Sequence, residues 1–374
     1  MTTSKYIKYE PQFAICPGET VRESIEALGL TQKEFAARLG ISEKHLITLI
    51  NGECALTNEM ALKLEHATGT PARIWNSFES GYREQLTKIK MAQEIQEHSD
   101  WLKAMPFKVI ADHLKIQIKD ISEKYFSLLR FFGVANYEAW EKSRPVIAYR
   151  KGATFKDSSL KQQCAIQTWL RLIELQAMKI DVPEYNKSQF KNAVEQIRTL
   201  TTLQPEEFIP QMESLCNQAG VIFILEKEIP GASVNGALRW IRQNKTPVIC
   251  LNLRGKYNDI FWFTFFHEAG HLLVGKKELF IDTPEQYASE EEDKANLFAT
   301  NILFPQQTLK ELESLETEEQ VKEFSDRINL HPGCVAGQMA YRKLIPYNSP
   351  LLQLREKYQW GAGEDSVPEV ENLN

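Results

Sequence analysis

The 374-residue chain lacks a long apolar run, a cluster of cysteines and an excess of positive charge. Each absence excludes something. No stretch approaches the ~18 consecutive apolar residues that a membrane-crossing helix needs, so a membrane protein of that kind is not expected. The opening residues, Met1-Thr2-Thr3-Ser4-Lys5-Tyr6-Ile7-Lys8, have no apolar core of a secretory signal, and the expected location is cytoplasmic. Cys16, Cys54, Cys164, Cys216, Cys250 and Cys334 are scattered, without a Cys-x-x-Cys pair. They read as reduced and mostly buried thiols rather than a disulfide framework or a Cys₄ zinc site. Lys and Arg number 44 against 50 Asp and Glu, a formal charge of −6, which argues against coating nucleic acid through bulk charge. There is no tandem repeat and no low-complexity block.

What is present is ample core material: 43% hydrophobic and 10% aromatic residues, enough for two to three domains in a chain of this length. Residues 1–16 form a short lead-in. Residues 17–80 read as short helices broken at Gly29, Gly40, Gly52 and Gly69-Thr70-Pro71. Residues 81–205 read as a helical connector with long helical stretches, such as Tyr82–Asp100, Ile121–Phe132, Ser158–Met178 and Ser188–Leu200, with apolar residues at three- and four-residue spacing. From about 206 the pattern changes. A helix over Pro205–Gln218 is followed by strands at Val221–Leu225, Gly236–Ile241 and Pro247–Leu253, before helices resume from Ile260 to about Leu344. Residues 346–374 read as a tail, acidic, turn-rich and disordered after Trp360. The fold class is α+β and predominantly α.

The densest chemistry lies at Phe261-Trp262-Phe263-Thr264-Phe265-Phe266-His267-Glu268-Ala269-Gly270-His271-Leu272-Leu273-Val274. His267-Glu268-x-x-His271 on a helix places two imidazoles one turn apart on one face, aimed at one cation. Glu268 points beside them, toward a water in the open position rather than toward the metal. Zn²⁺ is the expected ion, because it takes two neutral histidines, a carboxylate and one open site. Chance produces such a motif on the order of once per hundred chains at ordinary residue frequencies. The third ligand is sought downstream, where Ala295, Phe298, Ala299 and Ile302 form an apolar helical stripe. Glu292, three residues before Ala295, lies near that buried face, whereas Glu290, Glu291 and Asp293 point outward. Asn296 projects from the same side, either to hold a ligand histidine by a hydrogen bond or as a polar packing residue. With Glu268 as general base, the set suits hydrolysis of a peptide bond. The strand at 247–253 is an expected pairing edge for an extended substrate, and Arg239 is a candidate substrate contact. Weaker candidates are Tyr257 and Tyr287 as oxyanion donors, His331 as an electrophilic helper or helix cap, and Cys250 or Cys334 as a zinc-blocking thiolate. Residues 318–344 read as a second helix-turn-helix or, preferably, a packing element.

The front of the chain carries a second pattern. Thr31 with Glu34 makes a capping box, Phe35, Ala36 and Leu39 face inward, Gly40 permits a tight turn, and Ser42 caps the next helix. Leu46, Leu49 and Ile50 then face inward, and Thr57 starts another capped helix. This is a five-helix DNA-binding unit whose candidate contacts are Gln32, Ser42, Lys44, His45, Thr48 and Asn51. Its charge is unusual: residues 17–80 hold six Lys/Arg and nine Asp/Glu, a net −3, where a DNA reader usually carries a basic footprint. The other reading of the same helices is a dimerisation or protein-docking module.

Two resemblances follow from these residues. Residues 17–80, with Pro17-Gly18-Glu19, Gly29-Leu30-Thr31-Gln32-Lys33-Glu34-Phe35-Ala36, Asn51-Gly52 and Ala61-Leu62-Lys63-Leu64-Glu65, resemble HigA-type antitoxins of the Xre helix-turn-helix class. Residues 206–345, with Phe261 to His271, Glu292-x-x-Ala295-Asn296-x-Phe298-Ala299, Gly236-Ala237-Leu238-Arg239-Trp240 and His331-Pro332-Gly333, resemble the ImmA/IrrE metallopeptidases. The second resemblance implies a zincin-like domain and a zinc endopeptidase acting on regulatory proteins, in toxin–antitoxin, mobile-element or stress and phage-response settings. It places the third zinc ligand at Glu292. One departure is that many antitoxin recognition helices start with arginine, where this chain has Glu43-Lys44-His45. The expected protein is a transcriptional regulator with endopeptidase activity on a repressor, an antitoxin or itself. Its expected partners are operator DNA, a protein substrate or toxin, and a second copy through the N-terminal unit. The alternative is an antitoxin-like repressor that sequesters a partner and whose metal or ligand pocket is not catalytic.

Overall fold

The structure, a computed structural model of the chain, describes residues 14–118, 120–143, 159–274, 280–282, 290–361 and 368–371. Two compact units divide it: Met1–Asp100 with Asp120–Tyr125, and Trp101–Lys119 with Phe126–Asn374. No helix among the described residues is long and apolar enough to cross a membrane.

The first unit is built from α1 (Pro17–Ala27), α2 (Gln32–Leu39), α3 (Glu43–Ile50), α4 (Asn58–Thr68) and α5 (Ala72–Glu97). Local chemistry sets their ends. The Thr31 hydroxyl accepts from the Glu34 amide while the Glu34 carboxylate accepts from the Thr31 amide, the reciprocal capping box. Gly40 closes α2 in the left-handed region at φ 66°, and Ser42 and Thr57 cap α3 and α4. Val21, Ile25, Phe35, Leu39, Leu46, Leu49, Ile50, Leu64 and Trp75 form one core.

The second unit begins with α6 (Ser99–Ala104), α7 (Phe107–Leu114), α8 (Ile121–Phe132, whose first turns belong to the first unit), α9 (Tyr137–Lys142), α10 (Leu160–Ala177), α11 (Lys187–Arg198) and α12 (Pro205–Gln218). Strands β1 (Ile222–Leu225), β2 (Gly236–Ile241) and β3 (Thr246–Leu251) lead to α13 (Asn258–Val274) and β4 (Phe280–Asp282). There follow α14 (Glu290–Leu303), α15 (Gln306–Leu309), α16 (Glu318–Ile328), α17 (Pro332–Tyr341), β5 (Tyr358–Trp360) and β6 (Pro368–Val370). The helical connector expected over 81–205 is shared between the units: α5 carries its start in the first unit, residues 120–125 belong there too, and residues 101–119 and 126 onward belong to the second unit. Leu351 and Tyr358, in the expected tail, lie in the main core, and the expectation of disorder after Trp360 is corrected at Pro368–Val370, which pairs with β5.

Sheet order is β1-β3-β2-β4, with β3 parallel to β1 and antiparallel to β2, and β4 antiparallel to β2. All six residues of β3 are buried, as befits a strand covered on both faces. Phe223, Leu238, Ile249 and Leu251 share the core with Phe265 and Phe266 of α13, while Ala237, Arg239, Val248 and Cys250 alternate to the opposite face. Because β3 is hydrogen-bonded along both edges, the expectation that it pairs with substrate fails. Its neighbours already occupy those groups.

Removing the α2 cap tests this local account. Thr31→Ala should lower hydrogen-exchange protection of the α2 amides by about 1 kcal/mol and leave the β3 amides unchanged. Unaltered α2 protection would show that tertiary packing alone holds that helix end.

Candidate metal centre

Helix α13 is apolar nearly all round, with Phe261, Trp262, Phe265, Phe266, Leu272 and Leu273 buried, so it is packed around most of its circumference rather than amphipathic. Its second half carries three buried ionisable side chains. His267 and His271 are 4% and 2% exposed, and Glu268 is 0% exposed. Their rings lie 4.6 Å apart, nearly perpendicular, with the two Nε2 atoms 3.0 Å from one another. Glu292 of α14 faces both, with Oε1 2.7 Å from His271 Nε2 and Oε2 3.1 Å from His267 Nε2. His267, His271 and Glu292 form a group in which the ligand atoms all lie within 4.8 Å of one another.

The close crossing of α13 and α14 produces this convergence. Gly270 is the contact point: a Cβ there would sit 3.1 Å from the Ala295 Cα and 3.2 Å from the Phe298 Cβ. With α14 so near, Glu292 and Asn296, on either side of Ala295, reach the histidines. Asn296 Oδ1 accepts from His267 Nδ1 at 2.9 Å. That bond places the imidazole proton on Nδ1 and leaves Nε2 with its lone pair aimed at Glu292 and His271. A carboxylate and lone pairs crowded on one point repel unless a cation or a proton lies among them. Tetrahedral zinc with bonds of about 2.0–2.1 Å holds two nitrogens roughly 3.3 Å apart, close to the observed separation, so the donor set fits such an ion.

Sequence reading missed Arg198. Its guanidinium enters between two helix C-termini and donates to the carbonyls of Ile302 and Leu303 in α14 (2.7 and 3.2 Å) and of Ile328 in α16 (2.8 Å). It thereby anchors the far end of the helix that carries Glu292. An arginine at the end of a predicted helix gives no sequence signal of such reach.

In the first unit, Gln32, Ser42, Lys44, His45 and Asn51 are exposed. Ser42 accepts the His45 amide, Asn51 donates to Glu53, and the half-buried Thr48 turns its hydroxyl onto the His45 carbonyl at 2.8 Å. Residues 21–75 match the helix-turn-helix family model. Over 66 residues the chain is 32% identical to the uncharacterised HTH-type transcriptional regulator YddM of Escherichia coli, which covers 18% of this chain and 70% of that protein. The chain belongs to the helix-turn-helix family. A solved structure of a proposed antidote protein of a plasmid maintenance system from Nostoc punctiforme is 23% identical, covering 28% of this chain and 99% of that one, with a TM-score of 0.19. Residues 222–332 match the IrrE N-terminal-like domain, a peptidase-family domain. The His–His–Glu group falls within it.

Within the IrrE N-terminal-like domain the remaining candidates separate. Arg239 is corrected. Strand alternation turns it to the sheet face away from α13, where it donates to the Leu170 carbonyl (2.9 Å) and pairs with Glu174 (3.4 Å) of α10. His331 caps α17: its Nδ1 accepts from the Gly333 amide and from Asn258 Nδ2, at 3.0 and 2.8 Å. Burial pushes the Cys250 and Cys334 thiols well above their usual range, and the Cys250 thiol donates to the Ala237 carbonyl at 3.1 Å. In contrast to a helix-turn-helix reader, α17 is buried around most of its circumference and packs on α13, which makes 318–344 a packing element. Tyr257 lies under the Arg355 guanidinium at 4.0 Å. Tyr287 lies outside the described residues.

The Asn296 bond has a measurable consequence. A divalent ion held by the two histidines and Glu292 is expected to bind about 10- to 100-fold more weakly in Asn296→Ala, as read by competition with a chromophoric chelator. Equal affinity would reduce Asn296 to a packing residue.

Proposed function

We propose that this helix-turn-helix protein is a regulator whose second unit is a zinc-dependent endopeptidase, acting on a regulatory protein such as a repressor, an antitoxin or another copy of itself. The observation that carries this reading is the convergence of His267 Nε2, His271 Nε2 and both Glu292 oxygens on one point, with the buried Glu268 beside them on the same helix. His267, His271 and Glu292 would hold the ion, and a zinc ion bound there would supply a Lewis acid for a peptide carbonyl and lower the pKa of a water. Asn296 fixes the tautomer and orientation of His267. Glu268 takes a proton from the attacking water and returns it to the departing amine. A purely structural metal site has no use for such a base, which favours catalysis over a silent pocket.

The first unit supports operator binding through the exposed face of α3. Gln32, Lys44, His45 and Asn51 carry that proposal. Ser42 contributes as a cap and Thr48 less, because its hydroxyl is already spent on the backbone. The modest number of exposed contacts favours action as a homodimer that doubles them.

Two outcomes follow. Glu268→Gln should retain one equivalent of zinc while cleavage of helix-turn-helix regulators, this chain included, drops at least about 100-fold. Processing at the wild-type rate, followed by mass spectrometry of the products, would end the catalytic proposal. For a duplex selected by the protein from random sequence, Lys44→Ala should reduce the slope of log affinity against log salt by about one. An unchanged slope would remove Lys44 from the interface.

A further inference from the structure

Two aromatic rings lead away from the His–His–Glu group toward solvent. Phe263, one turn before His267 on α13, stacks beside its imidazole with centroids 6.3 Å apart and planes 28° apart. Tyr341, the last residue of α17, lies against Phe263 at 6.4 Å and 36°. Phe263 is half-buried and Tyr341 is 55% exposed. At the other end of the same helix face, Val274 is 51% exposed. At 100° per residue, positions 263, 267 and 274 fall within about 40° of one another around α13. Apolar groups that face water thus flank the metal ligands along one line.

The spacing matches a peptide. From 263 to 267 the helix rises about 6 Å, and alternate side chains of an extended chain are roughly 6.7 Å apart. A substrate laid along α13 with a carbonyl at the histidines brings the side chain nearest that bond over Phe263 and Tyr341. The ring faces offer the offset and edge-on contacts that bury an apolar or aromatic side chain well. A glycine or a charged side chain would leave both rings wet. The apolar strip begins on a ring stacked beside a metal-ligand candidate, a position that favours the chain being cleaved as its occupant over a partner docked elsewhere on the surface.

We propose that Phe263 and Tyr341 form a substrate subsite that selects a large apolar or aromatic side chain next to the scissile bond. The proposal rests on the metallopeptidase reading and deepens it. The Tyr341 ring, rather than its hydroxyl, does the selecting.

The test uses the full chain loaded with zinc and a series of N-acyl amino-acid hydroxamates carrying glycine, alanine, leucine or phenylalanine side chains, with dissociation constants read by calorimetry. The leucine and phenylalanine compounds should bind at least about tenfold more tightly than the glycine compound. In Tyr341→Ser that preference should fall below about threefold, with zinc affinity and glycine-hydroxamate binding unchanged. Tyr341→Phe should keep the preference. Equal binding across the series, a preference that survives Tyr341→Ser, or one lost in Tyr341→Phe would each overturn the subsite while leaving the metal centre standing. If no hydroxamate binds in a zinc-dependent way, the metallopeptidase reading falls and the subsite with it.

Discussion

The close crossing of α13 and α14 at Gly270 and Ala295 is the constraint on which the candidate centre depends. A side chain at 270 would meet the backbone of Ala295 at 3.1–3.2 Å, and any shift that relieved it would carry Glu292 and Asn296 away from the histidines together. The crossing also bears on how a helix as apolar as α13 can bury two histidines. Buried polar groups cost several kcal/mol each when unpaired. Here His267 Nδ1 donates to Asn296, and an ion held among His267, His271 and Glu292 would satisfy the lone pairs that converge there. Arg198 anchors the opposite end of α14, so the helix bearing the third candidate ligand is fixed at both ends.

Much of this centre was legible because its parts are local. His267 and His271 lie one helical turn apart, which any reading of helical periodicity detects. Glu292 and Asn296 follow from the phase of the stripe through Ala295 and Ala299. The same holds for the capping box at Thr31 and Glu34 and for the inward residues of α2 and α3, where short-range chemistry and burial agree. The importance of Gly270 was not legible. The glycine is visible in the motif, but its role appears only when a second helix lies against it.

The failures share one cause, which is that pairing and facing are non-local. Alternation along 236–241 shows two faces but not which one meets the metal helix, and Arg239 proved to lie on the other, bonded to α10. A run of apolar residues at 246–251 announces a buried strand, and a strand buried on both faces tends to be central. Central strands have no free edge, so the expectation of substrate pairing conflicted with the composition that marked the strand. Residues after 346 are polar enough to read as a tail, yet Leu351, Tyr358 and the β5–β6 pair supply enough burial to fold them onto the domain.

The charge of the helix-turn-helix unit is resolved by where the charges lie. Its net −3 over residues 17–80 divides into −2 on α1, +1 over residues 31–51, −2 over 52–71 and zero over 72–80. Much of the acidity is engaged locally. Glu19 pairs with Arg22 at 3.0 Å, Glu59 with Lys63 at 3.0 Å, and Glu34 closes the α2 cap. Among the described residues no ion pair engages Lys33, Arg38 or Lys44, which are exposed on α2 and α3. A phosphate backbone screened at about 8–10 Å responds to the charges near it rather than to the sum over the domain. The positive margin on the two helices of the motif is therefore the relevant field, and the acidic helices elsewhere in the unit bear on solubility and on non-specific binding, which they weaken.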